Sequence, residues 1–160
     1  MKRGSTIFLR LAVTAIGLGV VALCILLLPL IWQAAYIEYQ EDGYAVRVVV
    51  AAMYLAAVPF FFGIYKGWRI LDAIDTGQSF SLASVRALQE ISYCAGIISL
   101  IYIVTLPFFY IWAQSDDAPG LVLIGLFFVG MPAIVSVATG LLRLLLAEAV
   151  NIKSENDLTV

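Results

Sequence analysis

Histidine is missing from this chain of 160 residues, and charged residues make up only 12% of it. The absence of histidine removes the commonest protein ligand for transition metals and the side chain that titrates near neutral pH. The shortage of charge says more, because a soluble domain carries about 25% charged residues, which help to cover its core. With 63% apolar residues, the chain has too little polar surface for water. The composition predicts an integral membrane protein in contact with the lipid bilayer.

Cysteine is scarce, with only Cys24 and Cys94 in the chain. They fall at different depths of the predicted spans, so we expect no disulfide, and two thiols alone do not make a zinc site. The sequence also lacks a nucleophile–histidine–acid set and a glycine-rich phosphate loop. A net charge of −2 gives no electrostatic basis for direct nucleic-acid binding. We therefore expect a protein that is not an enzyme, with no metal and no cofactor.

Four continuous apolar segments are each long enough, at 1.5 Å per residue, to cross a hydrocarbon core of about 30 Å. Barrel strands would instead alternate apolar and polar residues over about ten positions. The predicted fold class is therefore all-α, a four-helix transmembrane bundle that forms a single membrane domain over residues 1–160. The predicted spans cover about residues 8–32, 46–70, 90–113 and 120–146, with a cytoplasmic tail at 147–160.

The lysines and arginines predict the orientation of the spans. Of the nine in the chain, eight fall in the terminal flanks or the second loop, and only Arg47 falls on the other side. Basic residues in short loops remain in the cytoplasm. The sequence therefore predicts cytoplasmic N and C termini, a cytoplasmic second loop, and a location in the bacterial cytoplasmic (inner) membrane.

The second loop, between spans two and three, contains signals for helix ends. Gly77 can adopt the left-handed conformation that closes a helix, and Ser79 or Ser81 can cap the next helix by accepting a backbone N–H. An apolar stripe then recurs at every third residue: Leu82, Val85, Leu88 and Ile91. This stripe predicts a short amphipathic cytoplasmic helix leading into span three. The loop is either a capped turn between two long helices or a surface for a cytoplasmic partner.

The tail after span four is short and polar. A frayed terminus is the default for such a segment, and docking against the second loop or another protein is the alternative. If the second loop and the tail form a contact surface, their polar and aromatic side chains are its candidate members. The candidate partner-binding residues are Asp72, Asp75, Gly77, Ser79, Phe80, Ser81, Arg86, Glu155, Asn156 and Asp157.

The spans contain hydroxyls but no ionisable Asp, Glu, Lys or Arg at mid-depth, where transporters usually keep one. We expect these hydroxyls to bond backbone carbonyls or to join helices. They belong to Tyr54, Ser99, Tyr102, Thr105, Ser136 and Thr139. A polar cavity lined by Tyr54, Ser99, Tyr102 and Ser136 would favour a permease or channel, and a packed apolar bundle would count against one. Small residues are expected to mark close helix packing: Gly17, Gly19, Gly125, Gly130, Ala133, Ser136 and Gly140.

Nearly the whole chain resembles the bacterial membrane proteins grouped as Domain of Unknown Function 2975, which include YoaS-like proteins. The most specific matching segments are Gly77-Gln78-Ser79-Phe80-Ser81 and Glu155-Asn156-Asp157-Leu158-Thr159. The resemblance implies no particular chemistry. It does imply a context, because such proteins are often encoded beside a small Cro-like helix-turn-helix regulator, which suggests a membrane partner for a DNA-binding protein.

Three functions remain open at this point. The first is a non-enzymatic regulatory or interaction protein that engages a cytosolic partner such as a small helix-turn-helix regulator. The alternative is a small permease, channel or lipid-binding protein, which would need a homo-oligomer to form an aqueous path. A bacteriocin-immunity or envelope-stress protein cannot be separated from the first hypothesis by sequence.

Overall fold

The computed structural model describes the backbone of residues 3–37, 43–77 and 81–158, and the side chains of residues 6–37, 43–77 and 81–155. Nearly all of the described backbone is helical, because backbone groups in lipid find no water and must pair within their own segment. The elements, in chain order, are α1 (Arg3–Ala22), a π-helical segment (Leu23–Leu27), α2 (Leu28–Ile37), α3 (Gly43–Asp75), α4 (Leu82–Ser115) and α5 (Gly120–Leu158).

Four helical segments are long and apolar enough to cross a membrane: Thr6–Ile37, Gly43–Asp75, Leu82–Ser115 and Gly120–Glu155. The first span consists of α1, the π-helical segment and α2, whereas α3, α4 and α5 each form one span. The predicted four-helix transmembrane bundle is therefore confirmed. The helices also continue past the predicted spans, and α5 does so furthest, ending at Leu158.

The spans pack in the order of the sequence: the first span lies on α3, α3 on α4, and α4 on α5. The core is formed by Val49 and Ala56 of α3 with Tyr102 and Phe109 of α4. Among the described residues, the first span and α5 share no extensive contact. A gap therefore remains between the two outermost spans of the bundle.

Glycines bring some of these helices close together. A Cβ placed on Gly125 of α5 would lie 3.0 Å from the Phe109 ring of α4, and one on Gly17 would lie 3.3 Å from Ile64 of α3. A Cβ on Gly130 would meet nothing within 4 Å. Close packing at small residues is thus confirmed at Gly125 and Gly17, but it is wrong for Gly19 and Gly130, where an added Cβ would meet nothing within 4 Å.

Serine hydroxyls join α4 to α5 at two levels. Ser92 and Ser136 each donate a hydrogen bond to the other's backbone carbonyl, both at 2.8 Å. About two turns further along α4, the Ser99 hydroxyl donates to the Val129 carbonyl at 3.0 Å. These bonds confirm the expected use of mid-span hydroxyls, since in lipid no water competes for the same carbonyls.

The first span contains an irregular turn immediately before Pro29. The Leu28 N–H donates to the Leu23 carbonyl, five residues back, and Pro29 has no N–H to donate. The carbonyl of Cys24 therefore loses both of its helical donors. The Tyr54 hydroxyl of α3 donates to that carbonyl at 2.7 Å. The carbonyl that the proline leaves without a helical donor is thus satisfied by a side chain of the neighbouring span.

The turn between α3 and α4 has the predicted end signals. Gly77 adopts a positive φ of 73°, and its N–H donates to the Ile74 carbonyl at 3.2 Å. Ser81 caps α4, with its hydroxyl accepting the Ser84 N–H at 3.3 Å. The predicted amphipathic segment forms the first turns of α4 and continues into the third span without a break.

Candidate functional site

Three features qualify as candidate sites: a set of ion pairs near one end of the bundle, the far end of α5, and a cavity between the spans. The end of the bundle at which α1 begins and α5 ends also carries most of the basic side chains that the structure describes. We call it the basic end, and its described members include Arg10, Lys66, Arg69, Arg86 and Arg143.

At the basic end, Arg10 of α1 binds two carboxylates of α3. Its guanidinium lies 2.6 Å from Asp72 and 2.8 Å from Asp75, and it lies 5.6 Å from the centre of the Trp68 ring. The two aspartates share one face because they are three residues apart on a helix. The three charged side chains remain 31–60% exposed, so each pair stabilises the fold by only about 0–1 kcal/mol. We call this group the Arg10 clamp.

A second ion pair joins α3 to α4. Lys66 lies 2.6 Å from Glu90, and the lysine side chain is only 12% exposed. The ammonium also lies 4.9 Å from the centre of the Phe62 ring, a distance that favours cation–π attraction. The sequence alone did not identify Glu90 as the partner of Lys66. The Arg10 clamp and this pair together tie three spans at the basic end.

The structure distributes the candidate partner-binding residues among several roles. Asp72 and Asp75 are held by Arg10, Gly77 and Ser81 shape the turn, and Arg86 is exposed on α4. Ser79 and Phe80 lie outside the described residues. Of the described candidates, the structure therefore brings together Asp72 and Asp75, and both bind Arg10 of the same chain.

The default expectation of a frayed tail is wrong, because α5 remains helical through Leu158. Helical hydrogen bonding satisfies the tail's backbone, and its apolar residues continue the helical pattern of the span. Glu155 is exposed on this helix. Asn156 and Asp157 belong to its backbone, whereas their side chains lie outside the described residues. We call the segment from Arg143 to Leu158 the α5 extension.

A cavity of about 560 Å³ lies among all four spans. Its walls include Cys24 and Leu28 of the first span, Phe60 of α3, Tyr102 of α4 and Phe128 of α5. Because the first span and α5 do not pack extensively, the cavity occupies the gap between them. The wall is almost wholly apolar, so it is suited to a lipophilic molecule rather than to water or ions.

This cavity does not have the polar lining that would favour a channel. Of the four hydroxyl residues expected to line it, only Tyr102 does so. Tyr54, Ser99 and Ser136 instead donate to backbone carbonyls of neighbouring spans. Among the described residues, no group of three or more His, Cys, Asp or Glu side chains is placed to hold a metal ion.

Comparison with known proteins agrees with this architecture. The family model described as "Protein of unknown function (DUF2975)" matches residues 5–160. The chain is 42% identical over 160 residues to the "Uncharacterized membrane protein YoaS" of Bacillus subtilis (strain 168), and the alignment covers 100% of both chains. No solved structure matches the chain.

Proposed function

The chain belongs to the DUF2975 family of membrane proteins, and we propose that it is a non-enzymatic interaction protein of the cytoplasmic membrane. Its α5 extension binds a cytosolic protein, and the partner that fits best is a small helix-turn-helix regulator. The observation that carries this proposal is the helical continuity of α5 from Gly120 to Leu158. The remaining support comes from length, charge and the position of the ion pairs.

The length of α5 supports a projecting helix. Its 39 residues correspond to about 58 Å at 1.5 Å per residue, roughly twice the hydrocarbon thickness of a bilayer. The first charged residue of α5 is Arg143, and the α5 extension that begins there accounts for about 24 Å of that length. If the basic end is cytoplasmic, as the positive-inside rule predicts, the extension begins at the membrane surface and projects into the cytosol beyond the predicted end of the span near residue 146.

The α5 extension offers both apolar and acidic groups to a partner. Leu144, Leu145 and Ile152 are each at least 60% exposed, and Glu148 and Glu155 are exposed on the same helix. A helix with an exposed apolar stripe is a common ligand for a groove on a partner protein. Acidic side chains complement a DNA-binding protein, since such proteins carry a basic face for the phosphate backbone.

The Arg10 clamp changes which residues are proposed to make the contact. Asp72 and Asp75 are already paired within the chain, so their part in this proposal is to fix the first span against α3. The α5 extension is better suited to bind, because its exposed leucine and isoleucine side chains would lose contact with water on docking. Arg86, also exposed, lies at the same end and remains a candidate contact.

The proposal can be tested by photo-crosslinking in intact cells. A photoreactive amino acid at Leu145 or Ile152 is expected to capture one and the same soluble helix-turn-helix protein. The matched control places it at Leu100, which is 62% exposed on α4 but lies in the middle of the third span. Adducts from Leu145 and Ile152 that contain only lipid or a second copy of this chain would contradict the proposal.

A charge-reversal variant tests the same surface with purified components. The Glu148→Lys change on the α5 extension is expected to weaken binding of the captured regulator about tenfold, because an attractive pair becomes repulsive. A Gln114→Lys control, at the opposite end of α4, is expected to leave the affinity unchanged. If both variants bind as wild type does, at low and at high salt, charge on the extension does not select the partner.

The alternative function, a small oligomeric permease, channel or lipid-binding protein, is supported in one of its forms. The cavity favours binding of a lipophilic molecule, because its walls are apolar and it lies among the spans. It gives no corresponding support to an aqueous path, since three of the four hydroxyls that such a path would need are bonded to backbone carbonyls.

A further inference from the structure

We propose that the cavity among the four spans binds an isoprenoid-quinone-type molecule, with a carbonyl oxygen of its ring accepting a hydrogen bond from the Tyr102 hydroxyl. This inference goes beyond the proposed interaction with a cytosolic protein and does not depend on it, because the cavity and the α5 extension are separate parts of the molecule. Four observations support it: the size of the cavity, the hydrogen-bond partners of the mid-span hydroxyls, the depth of Tyr102 and the aromatic wall.

The size of the cavity fits a small-molecule ligand. Its volume of about 560 Å³ falls within the range of about 300–1,000 Å³ that ligand pockets occupy. If it were left unfilled, a cavity of this size would leave many wall atoms without van der Waals partners. A membrane-soluble molecule supplies those partners, and the gap between the first span and α5 gives it a route from the lipid.

Five of the six mid-span hydroxyls identified in the sequence donate to backbone carbonyls: those of Tyr54, Ser99, Thr105, Ser136 and Thr139. Tyr102 is the exception, since its hydroxyl makes no hydrogen bond to any described residue. The side chain is nevertheless only 6% exposed and lines the cavity. A hydroxyl that opens onto an apolar cavity at mid-membrane depth has neither water nor a described residue as its acceptor, which is unfavourable. A ligand oxygen in the cavity supplies the partner that the protein does not.

The depth of Tyr102 narrows the chemistry of the ligand. It lies midway along the apolar stretch Ile91–Ala113, about 16 Å from either end at 1.5 Å per residue. The ester groups of phospholipids lie at the edges of the hydrocarbon core, so they do not reach this depth. A fatty-acid carboxylate would bring a charge to the centre of the membrane, which is costly. A neutral ring carbonyl on a lipophilic molecule meets neither objection.

The wall around Tyr102 favours a planar ring. The Tyr102 ring stacks on Phe128, with centroids 5.0 Å apart and planes 25° from parallel. Phe60 and Phe127 also line the cavity. Aromatic rings associate well in offset stacks or edge-to-face pairs, whereas a saturated chain gains nothing from such a wall beyond its area. The ring of a quinone fits this environment, and its apolar tail fits the remaining walls.

The test uses the full chain in detergent micelles and two probes with the same alkyl tail. One probe is a decyl-substituted benzoquinone, and the other is decylbenzene, which keeps the ring and tail but has no carbonyl. Binding is measured by isothermal titration calorimetry against protein-free micelles. The quinone is expected to bind about five- to tenfold more tightly than decylbenzene, which corresponds to one hydrogen bond.

Three variants separate the hydroxyl from the space. Tyr102→Phe keeps the ring and is expected to abolish the preference for the quinone, whereas Tyr110→Phe, on the exposed face of the same helix, is expected to keep it. Ala57→Phe places a ring in the cavity and is expected to eliminate binding of both probes. Equal affinity for the two probes in wild type would overturn the proposal. So would quinone binding that survives in Tyr102→Phe or in Ala57→Phe at wild-type affinity.

Discussion

The hydrogen bond from Tyr54 to the Cys24 carbonyl should stabilise the fold only because Pro29 leaves that carbonyl without a helical donor. The Leu28 N–H is used by Leu23, and the N–H that would come next is missing because residue 29 is proline. The 2.7 Å bond from α3 therefore replaces a backbone bond. The prediction is that the effect of Tyr54→Phe depends on the residue at position 29.

The expected magnitude follows from hydrogen bonds measured between membrane helices. Such bonds contribute about 0.6 kcal/mol on average and up to about 1.7 kcal/mol. The Cys24 carbonyl has no second donor, so Tyr54→Phe should lower the free energy of unfolding by about 1–1.5 kcal/mol, in the upper part of that range. In a Pro29→Ala background, residue 29 regains an N–H and the helix can satisfy the carbonyl itself. There the same change should cost less than about 0.5 kcal/mol.

The assay is a double-mutant cycle measured by denaturation in mixed micelles, with the same protein preparations for all four members. Tyr110→Phe serves as the matched control, since its hydroxyl accepts a bond from Gln114 on the same helix and joins no second span. A coupling energy of about 1 kcal/mol between positions 29 and 54 is expected. If the two changes are additive, Tyr54 does not compensate for the proline, and the account of the π-helical segment is wrong.

Three further predictions concern packing, charge and orientation. Gly125→Leu should lower the free energy of unfolding by about 1–3 kcal/mol, because its side chain would enter the space of Phe109, whereas Gly130→Leu, which meets open space, should be nearly neutral in a thermal melt. Arg10→Gln should destabilise the protein by at most about 1 kcal/mol per ion pair, and the difference should disappear in high salt; a loss that salt does not change would point to packing instead. A reporter that is active only in the cytoplasm should be active when it is fused after Val160. Activity only from a reporter that requires export would reverse the orientation.

Features that depend on one stretch of sequence could be predicted from it. Hydrophobic length alone specified four helical spans, because lipid forces backbone groups to pair locally. Gly77 and Ser81 could also be identified as helix-end residues, because a left-handed turn and a capping hydroxyl each act on residues that are close in the sequence. The general role of mid-span hydroxyls also followed, because a hydroxyl in lipid must find a carbonyl nearby.

Features that depend on which helices are neighbours could not be predicted in the same way. Arg10 and Asp72 are 62 residues apart in the chain, and nothing in either local sequence shows that their helices meet. Lys66 and Glu90 are on different spans for the same reason. The helical state of the tail beyond residue 146 was also missed, because a short polar tail resembles a frayed end until its continuity with an apolar helix is seen.

The hydrogen-bond partners of the polar groups in the spans can indicate a site even in a chain whose sequence contains no catalytic or metal-binding motif. In a soluble protein an unpaired hydroxyl is unremarkable, because water can satisfy it. At mid-membrane depth water is excluded, so each hydroxyl must be assigned to a carbonyl, to another side chain or to a ligand. Tyr54, Ser99 and Ser136 donate to carbonyls of neighbouring spans, and Thr105 and Thr139 donate to carbonyls of their own helices. Tyr102 differs from the other five because it combines mid-membrane depth and an aromatic wall with a hydroxyl that has no hydrogen-bond partner among the described residues.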